Sequence, residues 1–364
     1  DCLLSRGLGD VYKRQPYSAT RLERFAACAF AHFLQYGMKL TERVEYEFKP
    51  MDMGNVMHEA LESFAEEVRK RGMKWTELTE QERNEIADRC LDNIVADYGN
   101  TVLKSSARNE YMIERTRRIL RRTVWALQKQ LEQGEFQPEG FEVTFGGGRI
   151  DRVDIMEDQN KVYVKVIDYK TGNTSFDLVY LYHGLQLQLM IYLDGALRVE
   201  QKKYPDKEII PAGVFYYNIK DPMIQEKIDA DVEAVSAGLM KELKMNGLVQ
   251  ADPELVYRMD SSLGSIPVAF NKDGSFRKNS SVADRTQFAV LGRYVRTKIE
   301  KIRSSILEGD AEVSPYELGK KNACTYCPYM TVCGFDRRLS GYEFRRLKNF
   351  SDEELWKAFD REAE

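Results

Sequence analysis

The sequence predicts an α/β protein, and three observations lead to that class. Residues 148–167 contain two runs rich in Val and Ile on either side of a polar turn, as expected for a β-hairpin. Helical patterns precede and follow this hairpin, and Pro211 to Tyr217 predicts one further strand. The chain has 364 residues, 43% of them hydrophobic, which is enough for a substantial core.

The remaining elements are predicted from periodicity and capping residues. Helices are expected at Ser18 to Tyr36, Gly54 to Arg71, Glu80 to Tyr98, Glu110 to Glu132, Leu178 to Val199, Val232 to Met245 and Thr286 to Leu307. Residues 252–281 are rich in Gly, Pro, Ser and Asn and are predicted to be an insertion or a long loop. We therefore expect one domain over residues 16–350 and a helical tail at 351–364, which begins at a Ser cap.

The first fifteen residues are treated separately. Asp1 to Gln15 resembles a peptide that recurs when sequencing-adapter DNA is translated at the broken end of a gene. We interpret it as a sequencing or cloning artefact and exclude it, with Cys2, from the fold prediction. The natural chain is then expected to start near Pro16 and to be the downstream piece of something longer.

The hairpin places three charged residues in a defined relation. A turn centred between Gln159 and Asn160 puts Asp151 opposite Asp168 on antiparallel strands. Side chains alternate along a strand, so Lys170 should share a face with Asp168. A slip of one residue would separate the two carboxylates, so the register is itself a prediction.

Two opposed carboxylates repel each other unless a cation lies between them. Mg²⁺ prefers such oxygen ligands, together with water and substrate phosphate. A metal held by Asp151 and Asp168 would favour phosphodiester hydrolysis, with Lys170 orienting the water or offsetting charge in the transition state. For an isolated Asp-x-Lys pattern, the alternative is an exposed hairpin whose charges are solvated.

Further residues complete a recognisable pattern. Four features resemble the PD-(D/E)xK nuclease superfamily in its RecB-like branch: Asp151, the run Asp168-Tyr-Lys170, Gln188 followed four residues later by Tyr192, and a helix that carries the pattern Gly-x-x-x-His with its histidine at His58. The resemblance implies a restriction-endonuclease-like core, a central mixed β-sheet flanked by helices. It also implies a place for His58 in the metal site and for Gln188 and Tyr192 in the catalytic cleft, which they could share because they lie four apart on a helix.

The cysteines form a second constellation. Cys324, Cys327 and Cys333 follow a C-x2-C-x5-C spacing, and Cys28 lies far upstream. Four thiolates suit either a structural zinc ion or an iron-sulfur cluster, and the spacing does not decide between them. A disulfide set is disfavoured because no secretory signal is visible. The arrangement resembles the 4Fe-4S staple of AddB-type nucleases, which implies a cluster that joins the two ends of the domain. Cys90, His32 and His183 match no ligand position.

The resemblance to the AddB family covers residues 16 to the end and implies a function. It implies a DNA exonuclease that processes double-strand breaks in the bacterial cytoplasm, with an AddA-type partner that supplies ATP-driven unwinding. No Walker A pattern occurs, and no apolar run is long enough to span a membrane. The net charge of −4 restricts DNA contacts to local basic runs, at Arg115 to Arg122 and at Arg337-Arg338 together with Arg345 to Lys348. The alternative is a catalytically silent DNA-binding or structural module that carries an iron-sulfur cluster or zinc.

Overall fold

The computed structural model describes residues 17–41, 50–97, 106–146, 148–224 and 231–363. The segment that we interpret as an artefact, including Cys2, lies outside these described residues. In the described part, no helix is both long enough and apolar enough to cross a membrane.

Helices and short strands surround one large sheet. The helices are α1 (Ala19–Ala27), α2 (Ala29–His32), α3 (Pro50–Lys70), α4 (Glu80–Asp97), α5 (Ala107–Glu132), α6 (Leu178–Tyr182), α7 (Gln188–Lys203), α8 (Val232–Glu242), α9 (Pro253–Met259), α10 (Arg285–Leu307), α11 (Met330–Cys333) and α12 (Asp352–Ala363). The strands are β1 (Gln137–Phe145), β2 (Gly148–Asp158), β3 (Lys161–Lys170), β4 (Glu208–Asn218), β5 (Asn246–Gln250), β6 (Val282–Ala283), β7 (Tyr316–Leu318), β8 (Lys321–Asn322) and β9 (Arg345–Arg346). A π-helical turn (Phe33–Gly37) follows α2, and a 3₁₀ turn (Trp75–Glu77) precedes α4.

The large sheet is mixed and has six strands in the order β1-β2-β3-β4-β5-β6. The β1–β2, β2–β3 and β4–β5 pairs are antiparallel, whereas the β3–β4 and β5–β6 pairs are parallel. The parallel β3–β4 pair is connected through α6 and α7, as a parallel connection requires. This mixed sheet with helices on both sides confirms the predicted fold class.

Each face of the sheet carries its own apolar core. On one face, α3, α4 and α5 pack against alternate residues such as Ile167 and Tyr169 of β3. On the other face, α1, α7, α10 and α12 pack against the intervening residues, among them Val164 and Val166. Strand β3 is therefore buried on both faces, which explains its nearly continuous run of β-branched residues.

The predicted hairpin register is confirmed. The β2–β3 ladder runs from Asp158↔Lys161 at the turn to Arg152↔Ile167, and the next residues in the same register are Asp151 and Asp168. Gln159 in the turn has a φ of 41°, a left-handed conformation that suits a tight connection between antiparallel strands. The register is specified because the two faces pack against different cores, so a slip would move every buried side chain to the wrong one.

Two predicted helices are in fact divided. The helix expected from Ser18 to Tyr36 breaks at Cys28, whose backbone is extended (φ −165°, ψ 118°). The helix expected from Leu178 to Val199 is interrupted at Gly184, whose φ of 77° ends the first piece. Gln188 is consequently the first residue of α7 and does not lie within a longer helix.

The segment predicted as an insertion or long loop, residues 252–281, has partly regular structure. It begins with α9, capped by Asp252, and continues irregularly to β6. Ile266 and Val268 of the irregular part are buried in the core on the α3 side. The segment therefore contributes apolar packing, whatever its evolutionary origin.

Candidate functional site

Two buried carboxylates lie at the end of the hairpin. Alternation along β3 places Asp168 on the face covered by α7, together with Val164 and Val166, and the β2–β3 register brings Asp151 beside it. Asp151 is 8% exposed and Asp168 is 1% exposed. The Oδ2 atom of Asp151 accepts a hydrogen bond of 2.7 Å from the backbone N–H of Tyr169, which fixes this side chain across the strand pair.

Lys170 contacts both Asp168 and the first residue of helix α7. Its Nζ lies 2.5 Å from Asp168 Oδ2 and donates a hydrogen bond of 2.8 Å to Gln188 Oε1. Gln188 Nε2 donates to the hydroxyl of Tyr192 at 2.9 Å. Burial raises the pKa of Tyr192, so its phenol stays protonated at neutral pH. The structure thus brings together Asp168, Lys170, Gln188 and Tyr192 in one hydrogen-bonded row.

A histidine and a third carboxylate approach Asp151 from the other side. His58 of α3 places Nδ1 3.3 Å from Asp151 Oδ2 and 3.7 Å from Glu142 Oε1. Ligand atoms of His58, Glu142 and Asp151 all lie within 4.8 Å of one another. Nitrogen and oxygen ligands at this spacing fit a divalent metal ion, and a cation there would also relieve the repulsion between Asp151 and Asp168.

Glu142 is a candidate ligand that the sequence did not reveal. It lies on β1, just after an irregularity of the β1–β2 pairing between Pro138 and Gly140. Its φ of 48° is unusual for a residue with a side chain, and such strain is often retained where it positions a functional group. Arg149 Nε lies 2.5 Å from Glu142 Oε2, which leaves Oε1 directed at His58. The strand also contains Gln137, Glu139 and Thr144, so no sequence signal distinguishes Glu142 from its polar neighbours.

Burial and the charges of neighbouring side chains shift the pKa values of Asp151, Asp168 and His58. Burial, followed by the charge of Asp168, raises the pKa of Asp151 to about 7. Burial likewise raises the pKa of Asp168, against the effect of Lys170. For His58, burial opposes protonation, but the hydrogen bond with Glu142 and the charge of Asp151 raise its pKa above the ordinary value. Without metal, the site therefore holds protons that a cation would displace.

The raised pKa of Asp151 predicts that divalent-metal binding strengthens with pH. In the metal-free fold, the pKa of Asp151 is raised from its ordinary 3.8 to about 7. The bound proton therefore adds to the free energy of unfolding below pH 3.8, and this contribution is lost as the pH rises from 3.8 to about 7. Metal binding displaces that proton, so Mn²⁺ affinity should rise roughly tenfold or more from about pH 6 to about pH 8. Calorimetric titration of the chain with Mn²⁺ measures this. An affinity that is the same at both pH values would contradict the shift.

The four predicted cysteines also lie together. Cys28 occupies the break between α1 and α2, and its buried side chain packs with Tyr329 and, at the edge, Cys327. Burial, followed by the nearby thiols of the other three cysteines, raises the pKa of Cys324 to about 11. The loop around Cys324 is fixed by the Asn322 side chain, which accepts the N–H groups of residues 324 and 325 at 2.9 and 3.0 Å.

The other histidines and the fifth cysteine have structural surroundings. His32 is buried and accepts a hydrogen bond of 3.2 Å from Arg21 Nε. A ring nitrogen of His183 lies 2.8 Å from the carbonyl oxygen of Lys348. Cys90 is buried in the core that α3 and α4 share.

Acidic neighbours engage much of the first basic run, on α5. Arg117 forms ion pairs with Asp88 and Asp92, and Arg118 with Asp221. These contacts leave less charge available for DNA than the sequence suggests.

A mixed sheet that presents two buried carboxylates and a lysine beside a histidine fits the class of nucleases. A family model described as the PD-(D/E)XK nuclease superfamily matches residues 16–334. The chain belongs to the PD-(D/E)XK nuclease superfamily, which confirms the fold implied by the resemblance.

Curated relatives carry a more particular name. Proteins named as the B subunit of an ATP-dependent helicase/deoxyribonuclease are 43% identical over 370 residues in Lachnoclostridium phytofermentans and 35% identical over 369 residues in Clostridium acetobutylicum. The relative from Thermoanaerobacter sp. is 35% identical over 371 residues. Each match covers 95% of this chain and 32% of the relative, so the chain spans about a third of the length of these proteins. The predicted resemblance to the AddB family is thereby confirmed.

Proposed function

We propose that this chain is the nuclease region of an AddAB-type helicase-nuclease and hydrolyses phosphodiester bonds of DNA with Mg²⁺. The observation that carries the proposal is the convergence of Asp151, Asp168 and Lys170 on one face, with His58 and Glu142 completing an oxygen and nitrogen ligand set. DNA is the substrate that the names of the relatives suggest. Exonucleolytic cleavage at double-strand breaks, in recombinational repair with an AddA-type helicase as partner, is the biological role we assign.

The side chains of the site have different roles in the proposed reaction. His58, Glu142, Asp151 and Asp168 would hold the metal, which supplies Lewis-acid polarisation of the phosphate and an activated water. Lys170, held between Asp168 and Gln188, would orient the attacking water and offset negative charge on the phosphoryl oxygens. Gln188 and Tyr192 keep the ammonium group aimed at the cleft.

A cleavage assay tests this proposal directly. The chain is incubated with 5′-labelled linear duplex and single-stranded DNA, with Mg²⁺ or with EDTA, and products are sized on a sequencing gel. We expect metal-dependent shortening from DNA ends. Binding of DNA without cleavage, also in the presence of an AddA-type partner, would instead favour the catalytically silent DNA-binding module.

We further propose that Cys28, Cys324, Cys327 and Cys333 bind a 4Fe-4S cluster and not zinc. Both metals take four thiolate ligands, and the arrangement of Cys28 far upstream of the C-x2-C-x5-C loop, which resembles the 4Fe-4S staple of AddB-type nucleases, supports the cluster.

The cluster proposal predicts the composition of the purified protein. Material purified without oxygen should contain iron and acid-labile sulfide, and Cys327→Ser should lose both while retaining the sheet. Cys90→Ser, a buried cysteine in the other core, is the matched control and should keep the iron. Limited proteolysis should cut the terminal segments faster in Cys327→Ser because they lose their common tie. Stoichiometric zinc without iron would contradict the proposal.

A further inference from the structure

Helix α7 starts without a capping residue of its own. The residue at the cap position is Leu187, whose side chain cannot accept a hydrogen bond from the first turn. The side chain of Glu23, on helix α1, supplies the missing acceptor from elsewhere in the chain. Its Oε1 accepts the N–H of Leu187 at 2.7 Å and that of Gln188 at 2.9 Å.

The residue that Glu23 fixes is the one that contacts the candidate catalytic lysine. Gln188 is the first residue of α7, and its Oε1 accepts from Lys170 Nζ at 2.8 Å. Lys170 in turn lies 2.5 Å from Asp168 Oδ2. An unbroken series of contacts therefore leads from Glu23 through the start of α7 to the carboxylate that we assign to the metal.

We infer that Glu23 is a positioning residue of the nuclease site, which holds the first turn of α7 so that Gln188 can orient Lys170. The inference rests on the proposed nuclease function. A carboxylate at a helix N-terminus is also stabilised by the helix dipole, so the contact suits this location. Glu23 does not contact the reacting groups itself and acts through Gln188.

The surroundings of Glu23 show which property of the side chain matters. Burial raises its pKa to about 7, although the two N–H groups and the charge of Lys170 oppose this shift. A protonated carboxyl group still accepts hydrogen bonds through its carbonyl oxygen. The essential features of the Glu23 side chain are therefore its acceptor oxygen and its length, and its negative charge is secondary.

Two conservative variants of Glu23 separate the effect of side-chain length from the effect of charge. Glu23→Gln keeps an oxygen at the same distance from the helix but removes the charge, so kcat for DNA cleavage should stay within about threefold of the wild type. Glu23→Asp keeps the charge but is one methylene too short for both N–H groups, so kcat should fall by roughly tenfold or more through misplacement of Lys170. KM for DNA should change less than about twofold in both, because uniform binding is untouched.

A double-mutant cycle and a matched control complete the experiment. In a Gln188→Ala background the kcat effect of Glu23→Asp should disappear, because both changes interrupt the same series of contacts. Asp252→Ala removes a carboxylate that likewise accepts two N–H groups at a helix start, on α9, and should leave kcat unchanged. Circular dichroism and thermal melting show that each variant is folded at the assay temperature.

The outcomes are distinct. Equal kcat in Glu23→Asp and wild type, a greater loss in Glu23→Gln than in Glu23→Asp, or additive effects with Gln188→Ala would each overturn the positioning role. Absence of cleavage by the wild type would instead defeat the nuclease function on which it rests. Cleavage that is abolished by Lys170→Ala but insensitive to Glu23→Asp would leave the nuclease function intact and remove only this inference.

Discussion

Replacing Lys170 with alanine should lower kcat for DNA cleavage by roughly a hundred- to a thousandfold, the range found when one group that stabilises transition-state charge is removed. The ammonium group is held 2.5 Å from Asp168 Oδ2 and 2.8 Å from Gln188 Oε1, which fixes it beside the candidate metal ligands. Single-turnover cleavage of end-labelled DNA with saturating Mg²⁺ measures the effect. Binding of DNA should be little changed because the lysine side chain lies mostly inside the cleft.

Lys161→Ala is the control for this prediction. Lys161 lies on the same strand, β3, and is exposed at the hairpin turn, at the opposite end from the candidate site. Its removal should leave cleavage within about twofold of the wild type, as for a surface substitution away from the site. Equal cleavage by Lys170→Ala and Lys161→Ala would show that the hairpin lysine is not part of the chemistry and would remove the main support for the proposed function.

The largest effect on stability is expected for Asp154→Ala, which should lower the free energy of unfolding by about 3–5 kcal/mol. Asp154 is completely buried, and its oxygens accept from Arg152 Nε at 2.5 Å and from Arg152 Nη2 at 2.9 Å. Lys165 Nζ, across the strand pair, lies 3.1 Å from Asp154 Oδ2. Removal of the carboxylate would leave two buried cations without their partner. Urea unfolding followed by circular dichroism measures the loss.

Asp158→Ala provides the matched comparison on the same strand. Asp158 pairs with Arg258 at 2.6 Å, but both side chains are partly exposed, at 39% and 23%. Its removal should cost about 0–1 kcal/mol, because exposed pairs gain little over solvation. If both variants lost the same amount of stability, the buried position of Asp154 would not be the cause.

The two aspartates of β2 illustrate how far alternation can be used. Asp151 and Asp154 are three residues apart, so a strand must place them on opposite faces. The sequence alone therefore predicts that the side chains of these two aspartates point to different faces of the sheet. The predicted register also correctly placed Asp151 opposite Asp168. Only the packing showed that the second face carries Arg152 and Lys165, which makes Asp154 a structural residue.

The divided helices show where local sequence misleads. Around Cys28, the neighbouring alanines favour continued helix. The break occurs because the N–H of Phe30 instead donates to the distant carbonyl of Glu312, at 3.0 Å, while Cys28 packs against the cysteine loop. The second break did have a local signal, Gly184, since glycine readily adopts the left-handed conformation that ends a helix.

The sequence by itself determined the hairpin, its register, the common face of Asp151, Asp168 and Lys170, and the spacing of the cysteines. These features depend on alternation, turn length and short intervals, which are local properties of the chain. Only the tertiary structure decided that Glu142 joins His58 and Asp151, and that Glu23 caps the helix of Gln188. Those contacts join separate elements through side-chain reach and burial, and no local pattern encodes either quantity.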